Sequence, residues 1–192
     1  MIGSTRRLLL RPFTPADLDE LAVLLADPEV MKHSLNGVYD RERSAAWLDG
    51  LLPCYETYGI GPLALIARDS HALAGFCGVV PDKVQGRQVF NLGYRLAPRY
   101  WGLGLAAEAA QEVLRIVFAG PDIDSVVVII EPDHPASMRV AEKAGFRRFE
   151  RIVFHDRPVQ LYRMSREQWA GQQPSSDASN LILANHCPDS LC

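Results

Sequence analysis

The chain has 192 residues, 48% hydrophobic and 22% charged, with a formal net charge of −3. That length supports one domain with a real core, and the balance is that of an ordinary globular protein. A net negative chain with no basic block argues against nucleic acid as the main partner, and no stretch reaches the roughly 18 apolar residues of a membrane span.

The opening MIGSTRRLLLRPF is basic and apolar. Pro12 and the acidic run from Asp17 end it too early for a secretion signal, so the chain reads as cytoplasmic. Residues 5–11 are predicted as a strand. Thr14 then caps a helix with Pro15 in its first turn and Asp17 closing a capping box. Leu18, Leu21, Leu24 and Leu25 form that helix's apolar face. After the Asn36-Gly37 loop, a second helix is expected over residues 41–57. Its inner stripe is Trp47, Leu48, Leu51 and Leu52, with Pro53 as a break or kink.

Strands at 63–68 and 72–80 flank Asp69-Ser70-His71 as a hairpin. A third, 88–96, carries Gly93 as a candidate bulge. A helix follows from Ala106, with Ala109, Ala110, Val113, Leu114 and Val117 at helical spacing and a stop at Ala119-Gly120-Pro121. Residues 125–130 (SVVVII) read as a strand buried on both faces. A helix over 136–144 ends at Gly145. Strands at 148–154 and 159–164 turn through His155-Asp156-Arg157-Pro158. Residues 1–170 are therefore expected as the domain and 171–192 as a mobile tail. The order β-α-α-β-β-β-α-β-α-β-β predicts an α/β fold, one mixed sheet with helices on both faces. Cys54, Cys77, Cys187 and Cys192 contain no CxxC pair and read as buried or incidental thiols. No metal is expected.

Gly102 and Gly104 stand where the helix after the third strand begins. Each glycine costs a helix roughly 1 kcal/mol relative to alanine, which suggests a need for bare backbone. Free N–H groups and the positive end of the helix dipole make such a start an anion site, to which Arg99 adds a charge-assisted contact. A tight turn needing only positive φ is the plainer reading. Gly102-x-Gly104-x-x-Ala107 also fits a dinucleotide fingerprint, which would make the chain an NAD-binding protein. That fingerprint, however, wants its first glycine almost directly after a strand, and residues 97–101 intervene.

Arg99-x-x-Gly102-x-Gly104 resembles the [QR]xxGx[GA] acyl-CoA pyrophosphate loop of the GNAT family of N-acetyltransferases. RLLLRPFTPADLDELAVLLADPEV, LGYRLAPRYWGLGLAAEA, SMRVAEKAGF and LYRMSREQW, in that order, are similar to segments of the branch that acetylates ribosomal-protein N-termini. The resemblance spans residues 5 to about 169. It implies a GNAT fold with a splayed central sheet and acetyl-CoA as cosubstrate. The pantetheine arm would lie between the strands ending near Leu96 and Glu131, paired with backbone around Tyr94 and Leu96. The N–H groups of Gly102, Leu103, Gly104, Leu105 and Ala106 would hold the diphosphate, with Arg99, Arg139 and Lys143 as candidate phosphate contacts.

The resemblance also implies direct attack of an amine on the thioester. A glutamate that many members carry in the central strand is Asn91 here, and an amide is no base. Glu131 is the nearest replacement, or else a solvated carboxylate at a strand end. The tyrosine acid of another branch is Ala141. Ser137 matches a serine placed near the sulfur, either as proton donor or as a hydroxyl satisfying the helix start. His134 replaces an asparagine of that branch and can hydrogen-bond or act as a base. The acceptor pocket is expected between the Met31–Asp40 loop, the second helix and the His155–Pro158 turn, where Met31, His33, Tyr39, Trp47 and Asp156 stand, with Trp47 reading rather as core. The expected activity is acetyl transfer to a primary amine, on a protein N-terminus or a small molecule, by a monomer or homodimer. A non-catalytic acyl-CoA-binding module is the rival.

Overall fold

The computed structural model describes residues 2–120 and 122–172, excluding the side chains of Leu52, Cys54 and Tyr58. The tail expected beyond residue 172, with Cys187 and Cys192, lies outside the described residues. Among the described residues one sheet contains β1 (Gly3–Ser4), β2 (Leu8–Arg11), β3 (Pro62–Ala67), β4 (Leu73–Val84), β5 (Arg87–Leu96), β6 (Ser125–Ile130), β7 (Phe149–Phe154) and β8 (Arg157–Ser165). Their order is β1-β2-β3-β4-β5-β6-β8-β7. The helices are α1 (Leu18–Ala26), α2 (Pro28–Met31), α3 (Arg41–Asp49), α4 (Leu51–Tyr58), α5 (Leu105–Ala119), α6 (Pro135–Ala144) and α7 (Arg166–Ala170). Neighbouring strands are antiparallel except β5 and β6, which α5 joins as a parallel crossover.

Helices cover both faces, as the element order predicts. Ala109, Ala110, Val113 and Leu114 of α5, with Ala141 and Ala144 of α6, pack on Leu92, Leu96, Val126, Val128 and Ile130. On the other face Leu21, Leu24 and Leu25 of α1 and Leu48 of α3 pack on Ala64, Ile66 and Phe76. Trp47, half-buried, packs against this core as expected, its ring 5.8 Å from Phe13 and 5.1 Å from Phe76. Met31 is buried there.

The expected 41–57 helix is two helices broken at Gly50. Pro53 falls in the first turn of α4, where its missing N–H has no partner to lose. Gly93 is no bulge; it pairs regularly with Gly78, and the register shift lies at Leu65/Ile66 in β3. The last hairpin is tighter than expected. His155 and Asp156 alone turn it, both with positive φ (48° and 59°), so Arg157 and Pro158 already belong to β8. The short elements β1, α2 and α7 had no periodic signal long enough to read.

The capping box at Thr14 forms, and Asp17 does more than cap. Its carboxylate takes the Thr14 N–H at 2.7 Å and two Arg11 guanidinium contacts at 2.7 and 2.6 Å. Burial pushes the Asp17 pKa up, but these donors outweigh it and hold the group below its ordinary value. The folded pKa is depressed, so this stabilisation is complete above the unfolded pKa and lost as pH falls through the folded one. Asp17→Asn should cost about 2–3 kcal/mol at pH 7 and flatten the acid decline, as urea melts at pH 3 and pH 7 would show.

Candidate active site

β5 and β6 share a single ladder pair, Asn91 with Val127, although β5 runs on to Leu96 and β6 to Ile130. Beyond that pair the sheet opens. The Ala97 N–H donates to Ala74 on the β4 side. Backbone groups alternate along a strand, so those of Leu96 and Tyr94 point the other way, into the gap. The Leu96 carbonyl also accepts the Trp101 indole N–H at 2.6 Å, which fastens the following loop to the strand end.

That loop leads into α5 with Gly102 at φ 74° and Gly104 at φ 79°, a region that favours glycine. A Cβ on Gly102 would meet nothing within 4 Å. The first α5 hydrogen bond runs from the Glu108 N–H to the Gly104 carbonyl. Leu105, Ala106 and Ala107 therefore present N–H groups without helical partners. The fit for a diphosphate is an open cradle of donors at a helix start. Arg99 and Arg139 are exposed, and the Arg99 guanidinium lies 4.9 Å above the Tyr100 ring. Arg7, unread in the sequence, donates to the Leu103 carbonyl at 2.9 Å and pairs with Glu108 at 2.7 Å. It ties β2 to the cradle.

Ser137, in the first turn of α6, is buried, and its hydroxyl does not cap the helix. It meets the Tyr94 hydroxyl at 2.8 Å, and Tyr94 also donates to the Ser137 carbonyl at 3.0 Å. Burial raises the Tyr94 pKa despite the Ser137 contact, so the phenol keeps its proton. Asn91 donates to Asp82 at 3.2 Å. Ala141 is packed in the core.

A second cluster forms on the side of the loop after α2. His33 Nδ1 lies 2.7 Å from one Glu131 oxygen, and Arg157 donates to the other at 2.6 Å. The His33 hydrogen bond, then Arg157, hold the Glu131 pKa below its ordinary value against the effect of burial. The His134 ring stacks on His33 with centroids 3.9 Å apart and planes 12° apart. Burial first, and His33 second, push the His134 pKa below its usual 6.5. His33, Glu131 and Asp133 bring potential ligand atoms within 4.8 Å of one another. Two of those atoms bond each other, and a guanidinium sits on the same carboxylate, which suits an ion pair better than a metal. Asp156 is exposed in its turn. The sequence offered His33 as one of several pocket residues and placed the 155–158 turn beside the pocket, but gave no signal that Arg157 would pair with Glu131.

A surface cleft of about 710 Å³ lies outside α5, lined by Ser4, Glu108, Glu112, Arg115 and Lys143. Much of its lining is already paired, Ser4 and Arg115 with Glu112.

The chain matches the acetyltransferase (GNAT) domain over residues 7–147. The uncharacterised protein YkkB of Bacillus subtilis (strain 168) is 30% identical over 159 residues, covering 82% of this chain and 92% of that protein. The uncharacterised N-acetyltransferase YnaD of the same organism is 29% identical over 145 residues, covering 76% and 82%. The crystal structure of a GNAT-family acetyltransferase from Bacillus anthracis has a TM-score of 0.70 at 25% identity, covering 85% of this chain and 98% of that one. Spermidine N-acetyltransferase from Vibrio cholerae, in complex with CoA and spermine, has a TM-score of 0.72 at 14% identity, covering 86% of this chain and 99% of that one, and shows the shared fold. These matches displace the dinucleotide reading of the glycine pair. The domain match takes in the opening strand, the gap, the cradle and Ser137, and on it the chain belongs to the GNAT family of acetyltransferases.

Proposed function

We propose that this acetyltransferase passes the acetyl group of acetyl-CoA to a primary amine by direct attack in a ternary complex. The observation that carries this reading is the opening of β5 from β6, with the donor cradle at the start of α5 and the imidazole cluster beside the gap. When bound, acetyl-CoA supplies a thioester carbon activated toward an amine. The N–H groups of residues 102–106 hold its diphosphate, with Arg99 and Arg139 as flanking cations. Backbone of Tyr94 and Leu96 orients the pantetheine arm. As the carbon–nitrogen bond forms and the carbon–sulfur bond breaks, His134 takes the proton shed by the amine. Ser137, held by Tyr94, hydrogen-bonds and orients the departing sulfur, which takes its proton from water as His134 returns its own to solvent. Glu131 is a positioning residue here, because a carboxylate engaged by His33 and Arg157 is a poor proton acceptor.

Cys77 is fully buried and kept protonated by that burial, which makes it a poor carrier for the acetyl group. We read the domain as residues 1–170 and its setting as cytoplasmic. No helix among the described residues is long and apolar enough to cross a membrane. The test is release of CoA thiol with an amine panel, varying both substrates. Intersecting double-reciprocal lines are expected, and parallel lines would mean an acetylated enzyme. Acetyl-CoA binding without turnover of any amine would reduce the protein to a binding module. Ser137→Ala should lower kcat by about 10²-fold and leave the acetyl-CoA affinity near that of the parent.

A further inference from the structure

Resting on that reading, we infer that the amine acceptor also carries a carboxylate, which Arg95 binds. Side chains alternate along β5. Tyr94 and Leu96 face α5 and α6, so Arg95 and Gly93 face the opposite side, where α1 and α3 pack. Arg95 pairs across the sheet with Phe76, a member of that second core. The guanidinium is half-buried at the edge where this core gives way to the gap. Among the described residues it has no hydrogen bond or ion pair, whereas Arg7, Arg11, Arg41, Arg115 and Arg157 each hold a carboxylate.

By register, one carboxylate stands opposite Arg95 across the gap. Four residues on from the Asn91–Val127 pair, Arg95 is level with Glu131. Glu131 is engaged instead by His33 and Arg157. Arg95 feels Tyr39 and His134 but no carboxylate. Burial lowers its pKa, yet a guanidinium stays protonated in a protein. The fold thus holds a partly desolvated cation beside the acceptor side of the gap, and burying an unpaired charge is unfavourable. Next to it there is room: a Cβ on Gly93 would meet nothing within 4 Å. A small amino carboxylate fits both features. Its nitrogen reaches the gap near His134, and its carboxylate takes the fork of Arg95, the bidentate geometry guanidinium favours. A polyamine would bring further positive charge against the same guanidinium.

The experiment compares acceptors that differ only in that charge: L-leucine with L-leucinamide, and β-alanine with β-alaninamide. Each kcat/KM is corrected for the fraction of neutral amine. The wild type should prefer the carboxylate about ten- to hundredfold, the range of a hydrogen-bonded charge. Arg95→Met should bring that ratio close to one through KM, and Arg95→Lys should keep part of it. The α- and β-amino pairs show how far the carboxylate stands from the nitrogen. A ratio near one in the wild type, or the same ratio in wild type and Arg95→Met, overturns the inference. So does turnover confined to polyamines or peptide amides, which leaves the transferase reading intact. Absence of acetyl transfer to any amine defeats that reading itself, and this inference with it.

Discussion

Gly104→Glu should abolish the stabilisation that acetyl-CoA and CoA give the wild-type protein. A ligand at a hundredfold excess over its Kd stabilises the folded state by about 2.7 kcal/mol. In a domain of this size that is a rise in Tm of about 5–11 °C. The cradle is backbone, so alanine substitution of neighbouring side chains cannot remove it. Gly104 has φ 79°, and the nearest atom to an added Cβ is an Arg7 nitrogen at 3.8 Å. A side chain there meets strain but no wall. Gly104→Ala isolates the strain, about 1–2 kcal/mol for an L residue in this region, and should lower Tm while keeping much of the ligand response. Glutamate adds a negative charge where the diphosphate belongs, and should eliminate the response. NAD should stabilise neither wild type nor variant. An unchanged acetyl-CoA response in Gly104→Glu would place the diphosphate elsewhere and return the two glycines to a simple turn.

The cradle was legible because its signal is local. Glycine at a helix start, an arginine three residues before it and an alanine-rich helix behind it are contiguous in the chain. Ser137 was legible for the same reason, through the segment around it. In the other half, His33, Glu131 and His134 were legible as residues but their pairings were not. Arg157 reaches Glu131 from the neighbouring strand β8, and His33 reaches it from a loop nearly a hundred residues earlier, 98 positions away. Pairings of that kind are set by the sheet order, in which β8 inserts between β6 and β7. Sequence periodicity has no access to it. Tyr94 was read for its backbone alone, because nothing in the chain says that its ring crosses to α6. The misplaced bulge has the same origin. Gly93 stood out as a glycine within a strand, whereas the actual register shift falls between Leu65 and Ile66, two ordinary apolar residues. The break at Gly50 shows a conflict between signals: helical periodicity continued through it, and local backbone chemistry prevailed.

His134→Gln should lower kcat/KM by about 10²-fold or more, the usual contribution of a positioned base, and should change the shape of its pH dependence. Two groups must be neutral for attack, His134 and the acceptor amine, whose pKa is near roughly 8 for an α-amino group. Below both pKa values, log kcat/KM of the wild type should rise with a slope of two. It should bend to one as His134 deprotonates, at a pH below its ordinary 6.5 because burial and His33 disfavour the imidazolium. The variant should keep only the amine limb, with a slope of one throughout. The groups facing His134 are His33, Glu131, Asp133 and Arg95, and their signs differ. Glu131 and Asp133 favour the protonated form; His33 and Arg95 oppose it. His33→Ala removes one opposing charge and opens the ring to water, so the bend should move to higher pH. Glu131→Gln removes a favouring charge, so the bend should move to lower pH. A mutation that merely loosened the site would lower the rate without moving the bend in either direction. The opposite displacements therefore separate a proton acceptor held in a charged frame from a histidine that only packs. A slope of two surviving in His134→Gln would transfer the base role to another group, with His33 the next imidazole in line.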